Sequence, residues 1–282
     1  MTRHEYRLLD VFTDRAFGGN QLAVFLDGRG ISDELMARIA NELQLAETTF
    51  VLPPTSADAD RRVRIFTPAK ELPFAGHPTA GTAYVIADGR DGVVRLEEGV
   101  GTIRVTLDGG FVQMTQLVPT FTATTVTRST AAAALSLAED EVRADIPLEV
   151  GSSGVAFVFV PLRDLDAVRR ARHRAGVLAE NLYVFAMGGD LPGSAVHGRM
   201  FGAAVGIAED AASGSAQGPL GAYLVRHRLV PAAPTVRIRS EQGFEMGRPS
   251  ILEIEIDSAG DAITGARVGG RCVSMGGGWF DL

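Results

Sequence analysis

Residues 71–82, Glu71-Leu72-Pro73-Phe74-Ala75-Gly76-His77-Pro78-Thr79-Ala80-Gly81-Thr82, lead through a glycine-bearing turn into a helix of small residues. Far downstream, Glu209-Asp210-Ala211-Ala212-Ser213-Gly214-Ser215-Ala216-Gln217-Gly218 repeats that design. Each turn carries an ionisable side chain, and each helix continues in a similar way, Gly81-Thr82-Ala83-Tyr84-Val85 in one and Gly221-Ala222-Tyr223-Leu224-Val225 in the other. A helix N-terminus presents unpaired backbone N–H groups and the positive end of the helix dipole, so it favours an anion. Two such openings that face one another suggest a carboxylate held between two similar halves, with acid–base groups beside it.

With 282 residues the chain can bury a substantial core, as one large domain or two ordinary ones. Apolar residues make up 46% and charged residues 22%, the balance of a globular protein and too apolar for disorder. The 33 glycines exceed the usual share of about 7% and fit many tight turns and close backbone approaches. A net charge of −7 and the absence of a long Lys/Arg block argue against nucleic acid or an anionic membrane as partner. No apolar run reaches the roughly 18 residues of a membrane span, and no signal-peptide layout is present, so the expected location is the cytoplasm. Cys272 stands alone, which excludes an internal disulfide and any two-thiol mechanism within one chain.

Strand and helix patterns alternate irregularly. Residues 6–12 and 21–26 read as strands about the turn Gly18-Gly19-Asn20. Ser32 is an N-cap candidate for a helix with Leu35, Met36, Ile39, Ala40 and Leu43 at helical spacing, ending near Leu45. Further strands are expected at 48–52 and 62–66, a helix at 77–87, and two or three strands over 93–116. Residues 119–134, rich in Thr and Ala, read as the domain boundary. Beyond them, strands are expected at 148–151, 155–160, 183–186 and 198–201, a helix at about 215–227, and strands at 235–239, 252–256 and near Ala266 and Val273. Strands dominate, each half holds one central apolar helix, and the β-α-β alternation of a doubly wound sheet is missing. The expectation is an α+β protein of two similar lobes, each a curved, mostly antiparallel sheet round a central helix. Residues 1–118, completed by a final strand at about 270–282, form one lobe, and residues 119–269 the other.

Glu47 lies between a helix end and the apolar strand Thr48-Thr49-Phe50. It is either a solvent-facing residue at a helix end or a carboxylate among apolar neighbours, suited to general acid–base work. His77 precedes Pro78, which fits a first helical position. Its ring is therefore at the helix opening, as a capping group or as a neutral imidazole that donates one hydrogen bond and accepts another. Asp210 is at the matching opening, stabilised by the dipole or used in chemistry. Gly214 and Ser215 offer backbone N–H groups and a hydroxyl to a substrate carboxylate, unless Ser215 is an ordinary N-cap. Asn20 reads as a left-handed turn residue or a site residue. His4, His77, His173, His197 and His227 show no pair at metal-ligand spacing, so no metal site is expected. Phosphate-loop, nucleophile-elbow and dinucleotide fingerprints are missing.

Together, Asp10-Val11-Phe12-Thr13, Phe17-Gly18-Gly19-Asn20, Glu47-Thr48-Thr49-Phe50, Arg64-Ile65-Phe66-Thr67-Pro68, residues 72–79, the 209–218 loop and Gly247-Arg248-Pro249-Ser250 resemble the phenazine-biosynthesis PhzF-like isomerase family. That family is related to diaminopimelate epimerase. The resemblance implies the two-lobe fold with an active site in the cleft between lobes, a cofactor-free reaction on a small carboxylic acid, and a homodimer. It makes Glu47 the acid–base group, moving a proton from one carbon to another in the manner of trans-2,3-dihydro-3-hydroxyanthranilate isomerase. His77 and Asp210 would orient the substrate, and Gly214 and Ser215, with Gly76, would receive its carboxylate. The epimerase thiols correspond to Gly76 and Ser213, so two-thiol racemisation does not transfer. Ala211, Ser213, Gln217 and Gln21 depart from the family's common proline, threonine, alanine and proline. None of these departures removes a proposed catalytic group, but they put the identity of the substrate in doubt; the alternatives are a tautomerase, epimerase or lyase acting on another acid, or a small-acid-binding protein without turnover.

Overall fold

Period-two stretches become strands throughout, and the two small-residue helices become buried ones. The computed structural model describes residues 2–282, the Val205 side chain excepted. The chain divides into two compact units, Met1–Thr115 with Gly269–Leu282, and Gln116–Val268.

The first unit runs β1 (Arg3–Val11), β2 (Asn20–Phe25), α1 (Asp33–Leu43), β3 (Glu47–Leu52), β4 (Arg61–Phe66), β5 (Glu71–Leu72), α2 (Gly76–Ala87), β6 (Gly92–Glu98), β7 (Gly101–Asp108) and β8 (Phe111–Gln116). Ser32 caps α1 by accepting the Leu35 N–H, as its sequence position predicts. The helix stops at Leu43, short of the expected Leu45, because Gln44 adopts the left-handed conformation and closes it with a bond to the Ala40 carbonyl. The apolar face of α1 packs Met36, Ile39 and Ala40 against Phe25, Phe50 and Phe66. In α2 every residue from Gly76 to Ala83 is buried, as expected of a helix apolar on all sides, and it packs on β1, β2, β3, β6 and β7. β2 and β3 are parallel, with Leu22 opposite Glu47, so the amino ends of both strands lie on the same side of the sheet.

The second unit contains β9 (Thr120–Ala123), α3 (Arg128–Leu135), β10 (Glu149–Ser152), β11 (Ala156–Pro161), α4 (Leu165–Arg170), β12 (Asn181–Met187), β13 (Val196–Gly202), β14 (Ile207–Asp210), α5 (Gly214–Arg226), β15 (Thr235–Gln242), β16 (Ser250–Ala259) and the start of β17 (Ala262–Asp281). Residues 119–134, read as the domain boundary, carry ordered structure. β9 pairs with β10, and α3 buries Ala131, Ala132, Ala134 and Leu135 beneath α4 and the sheet. A reciprocal cap between Thr127 and Thr130 starts α3, and alanine is the best helix former. α5 is buried from Gly214 to Leu224 and packs on β10, β11, β15 and β16. The helices expected in the first unit are both present, while the second unit adds α3 and α4 to the one expected there.

The strands expected near Ala266 and Val273 are one element. β17 carries the chain back to the first unit, where it pairs with β1 from Arg3 opposite Asp281 to Val11 opposite Cys272. The protein is α+β with mixed sheet. Most neighbours are antiparallel, while β2–β3, β4–β6, β11–β12 and β13–β15 are parallel. Among the described residues no helix is long and apolar enough to cross a membrane.

Candidate active site

In the first unit the parallel start of β2 and β3 sets Asn20 and Glu47 near the opening of α2. Glu47 is 6% exposed, so it is not the solvent-facing residue that a helix end would allow. Its Oε2 lies 3.3 Å from Nε2 of His77, a ring that is itself 3% exposed. On the other side of the ring, Asn20 Nδ2 lies 3.0 Å from Nδ1. Burial drives the His77 pKa down to about 3, against a weaker opposing hydrogen bond with the Gln21 backbone, so the imidazole is neutral at pH 7. Glu47 Oε2 and Asn20 Nδ2 therefore lie against opposite nitrogens of one uncharged ring. A buried carboxyl thus lies beside a neutral ring, and the two do not form an ion pair.

Two further features support this opening. α2 has Ala75 at its N-cap, where no side chain can bond the first-turn N–H groups. Beneath it, Thr79 Oγ1 lies 2.7 Å from the Ala75 carbonyl and 2.7 Å from Oε1 of Glu98. A hydroxyl has one proton for these two acceptors. Burial pushes the Glu98 pKa up to about 8, only partly offset by the bond Thr79 donates to it, so at neutral pH the carboxyl is largely protonated. The loop before β2 is held by Asp10, whose Oδ2 accepts the Phe17 N–H at 2.7 Å. Cys272 cannot serve as a base, since burial raises its thiol pKa to about 12.

In the second unit Asp210 ends β14, paired with Met200 of β13, and is 7% exposed. Ser213 is the N-cap residue of α5, yet its side chain does not cap the helix; its hydroxyl donates to Asp210 Oδ2 at 2.6 Å. Gly214 and Ser215 are the first two residues of α5, both buried, and the Gly214 carbonyl accepts from Gln116 Nε2 at 2.9 Å. Gln217, one of the departures from the family pattern, is fully buried. Its amide donates to the Tyr183 hydroxyl at 2.8 Å and to Gln242 Oε1 at 3.2 Å. Ser250, in one of the marking motifs, donates to the Ala211 carbonyl at 2.8 Å and so braces the loop.

Next to Asp210, Glu209 receives a two-pronged bond from Arg199, at 2.7 and 2.8 Å. Beyond it, Asp190, His197 and Glu241 bring possible ligand atoms within 4.8 Å of one another. Glu241 already accepts from the Asp190 and Leu191 N–H groups, and Nδ1 of His197 is 2.8 Å from it. Burial disfavours a charged His197, but its hydrogen bonds to Glu245 and Glu241 outweigh that and raise its pKa. The cluster is an ion network with its oxygens in use.

A family profile described as "Phenazine biosynthesis-like protein" (PhzC-PhzF) matches residues 9–278. The chain belongs to this family. This PhzF-type chain is 38% identical over 276 residues to trans-2,3-dihydro-3-hydroxyanthranilate isomerase of Pseudomonas aeruginosa, covering 95% of the chain and 96% of the relative. It is 37% identical over 287 residues to the protein of the same name from Pseudomonas fluorescens, covering 99% and 100%. The crystal structure of the Bacillus anthracis phenazine biosynthesis protein of the PhzF family superposes with a TM-score of 0.92 at 25% identity, over 100% of both chains. The protein is therefore an isomerase of the PhzF type.

Glu47, His77 and the helix residue Gly76 come together in the first unit; Asp210, Gly214 and Ser215 do so in the second. Sequence reading did not single out Glu98, Tyr183 or Gln242. An apolar residue was the pattern's demand at each of these buried places, and a polar residue breaking it was the available signal.

Proposed function

We propose that this isomerase relocates a proton on a small unsaturated or amino-bearing carboxylic acid of the kind its Pseudomonas relatives are named for, trans-2,3-dihydro-3-hydroxyanthranilate. The observation that supports this reading is the buried Glu47 carboxyl 3.3 Å from the ring of a neutral His77. Glu47 takes a proton from a carbon next to a π-system, the electron pair spreads into that system, and the proton returns at another carbon. The conversion is redox-neutral and the base is regenerated, so it calls for no electron carrier. His77 orients the Glu47 oxygen and stays uncharged throughout the physiological range. Asp210 orients the polar substituents of the substrate, and the uncapped first turns, at Gly76 and at Gly214–Ser215, receive its carboxylate. The high pKa of the lone Cys272 disfavours a thiol route of the epimerase kind.

The test is proton NMR of the acid in deuterated buffer with wild type and Glu47→Gln. Wild type is expected to give the shifted double bond with solvent deuterium at the carbon that receives the proton. Glu47→Gln is expected to lose about 10²–10⁴-fold or more in turnover, with the ligand still raising its melting temperature. Turnover within tenfold of wild type in that variant would remove Glu47 from the role. A wild-type protein that leaves the acid unchanged would remove this substrate.

A further inference from the structure

Gln242, at the end of β15, is 0% exposed and none of the chemistry above uses it. Backbone groups fix which way its amide points. Its Nε2 faces the Asp210 carbonyl at 2.8 Å, which can only accept, and its Oε1 faces the Ser213 N–H at 3.2 Å, which can only donate. Gln217 at 3.2 Å and the Tyr183 hydroxyl at 3.3 Å donate to the same Oε1. Tyr183 reaches it because Gly198 has no side chain; a Cβ there would lie 2.6 Å from the Tyr183 ring. The second proton of Gln242 Nε2 goes to Ser213 Oγ at 2.9 Å. Having accepted it, Ser213 directs its one hydroxyl proton to Asp210 Oδ2 at 2.6 Å.

We infer that Gln242 is a positioning residue for Asp210, acting through Ser213 and held in orientation by Gln217 and Tyr183. The inference rests on the role proposed for Asp210 above. It gives donors and acceptors a single direction along the chain Gln242, Ser213, Asp210, so reversing one donor withdraws the Ser213 bond from the carboxylate. Gln242→Glu does this once pH exceeds the pKa of the buried acid, since an ionised oxygen then replaces the donating nitrogen. Ser213 then turns its proton to the new oxygen and leaves Asp210.

Three variants, Gln242→Glu, Ser213→Ala and the double, are to be assayed on trans-2,3-dihydro-3-hydroxyanthranilate beside wild type and Glu47→Gln. Each single is expected to lower kcat about 10²-fold, the scale of a misplaced group, with KM within about threefold. The double should be no worse than the poorer single, since both act through one bond. For Gln242→Glu, kcat should recover as pH falls, because the introduced carboxyl takes up a proton and becomes a donor again. Losses that multiply in the double, or an acid limb identical to wild type, would overturn the inference and leave a structural role only. Hydrogen exchange of the Ser213 amide gives a readout without turnover. Protection should fall about tenfold or more in Gln242→Leu, and unchanged protection overturns the inference. If wild type does not convert the acid, the functional reading fails, and the exchange result alone decides the Gln242–Ser213 linkage.

Discussion

Thr79 in α2 and Gln217 in α5 are each the fourth residue of their helix, counted from Gly76 and from Gly214, yet different groups lie under them. Thr79 rests on a carboxyl, Glu98, that keeps its proton at neutral pH. Gln217 rests on a second amide, Gln242, and on the phenol of Tyr183, whose pKa burial raises to about 12. The polar support of the first helix opening therefore changes with pH near neutrality, and that of the second does not. Two openings built to one plan can thus differ in robustness through a single supporting side chain.

Replacing the ionisable support should give the largest effect. The folded pKa of Glu98, about 8, lies above its ordinary 4.5, so its contribution is intact below about pH 4.5 and is lost as pH rises through 8. Glu98→Gln keeps an oxygen that accepts from Thr79 and cannot ionise. Its stability should match wild type near pH 4 and exceed it by about 1.4 kcal/mol per pH unit above that, on the order of 4 kcal/mol by pH 8, measured by urea unfolding. A gap that stays flat with pH would break the contrast between the two openings. Next in size is Asn20→Leu, which leaves Nδ1 of a buried His77 without its donor. It should cost about 1–3 kcal/mol in denaturant unfolding and lower turnover without a comparable change in KM.

The two helices are expected to agree where packing, not charge, decides. A Cβ on Gly81 would lie 2.6 Å from Leu22 and 2.7 Å from Val11; one on Gly221 would lie 2.6 Å from Ile254 and 2.9 Å from Ile256. Gly81→Ala and Gly221→Ala should each cost about 1–3 kcal/mol through overpacking, which offsets the helix-propensity gain. Thermal melts that differ by more than about twofold between them would show unequal packing around the two helices. The smallest effect is expected from Ser250→Ala, which removes one donor from the Ala211 carbonyl and should cost about 1 kcal/mol.

Much of this was legible in the sequence for a local reason. Small residues after a turn can only be a buried helix, and Arg62-Val63-Arg64-Ile65-Phe66 can hardly be anything but a half-buried strand. Ser32 announced the start of α1. Alanine misled in the other direction: residues 131–134 carry no strong periodicity, so a buried helix read as a domain boundary. Glu47 was ambiguous because burial is decided by β2 and α2, elements remote in sequence. The role of Gln242 was hidden for the same reason, since its partners Asp210 and Ser213 are met only after β15 folds back. Glu98 precedes Gly99 and reads as a strand-end residue; nothing near it in sequence reveals that Thr79 will lie above it.

The route of β17 bears on how the protein is made. Synthesis proceeds from the amino end, so β1 is available early with β2 on one side, while its other edge waits for residues 272–281. The 116–268 unit is contiguous and complete before then. At about 5–20 residues per second, the open edge persists for tens of seconds on the ribosome, a template for unwanted strand pairing. The first unit therefore gains its closing strand only after the whole of the second has been made.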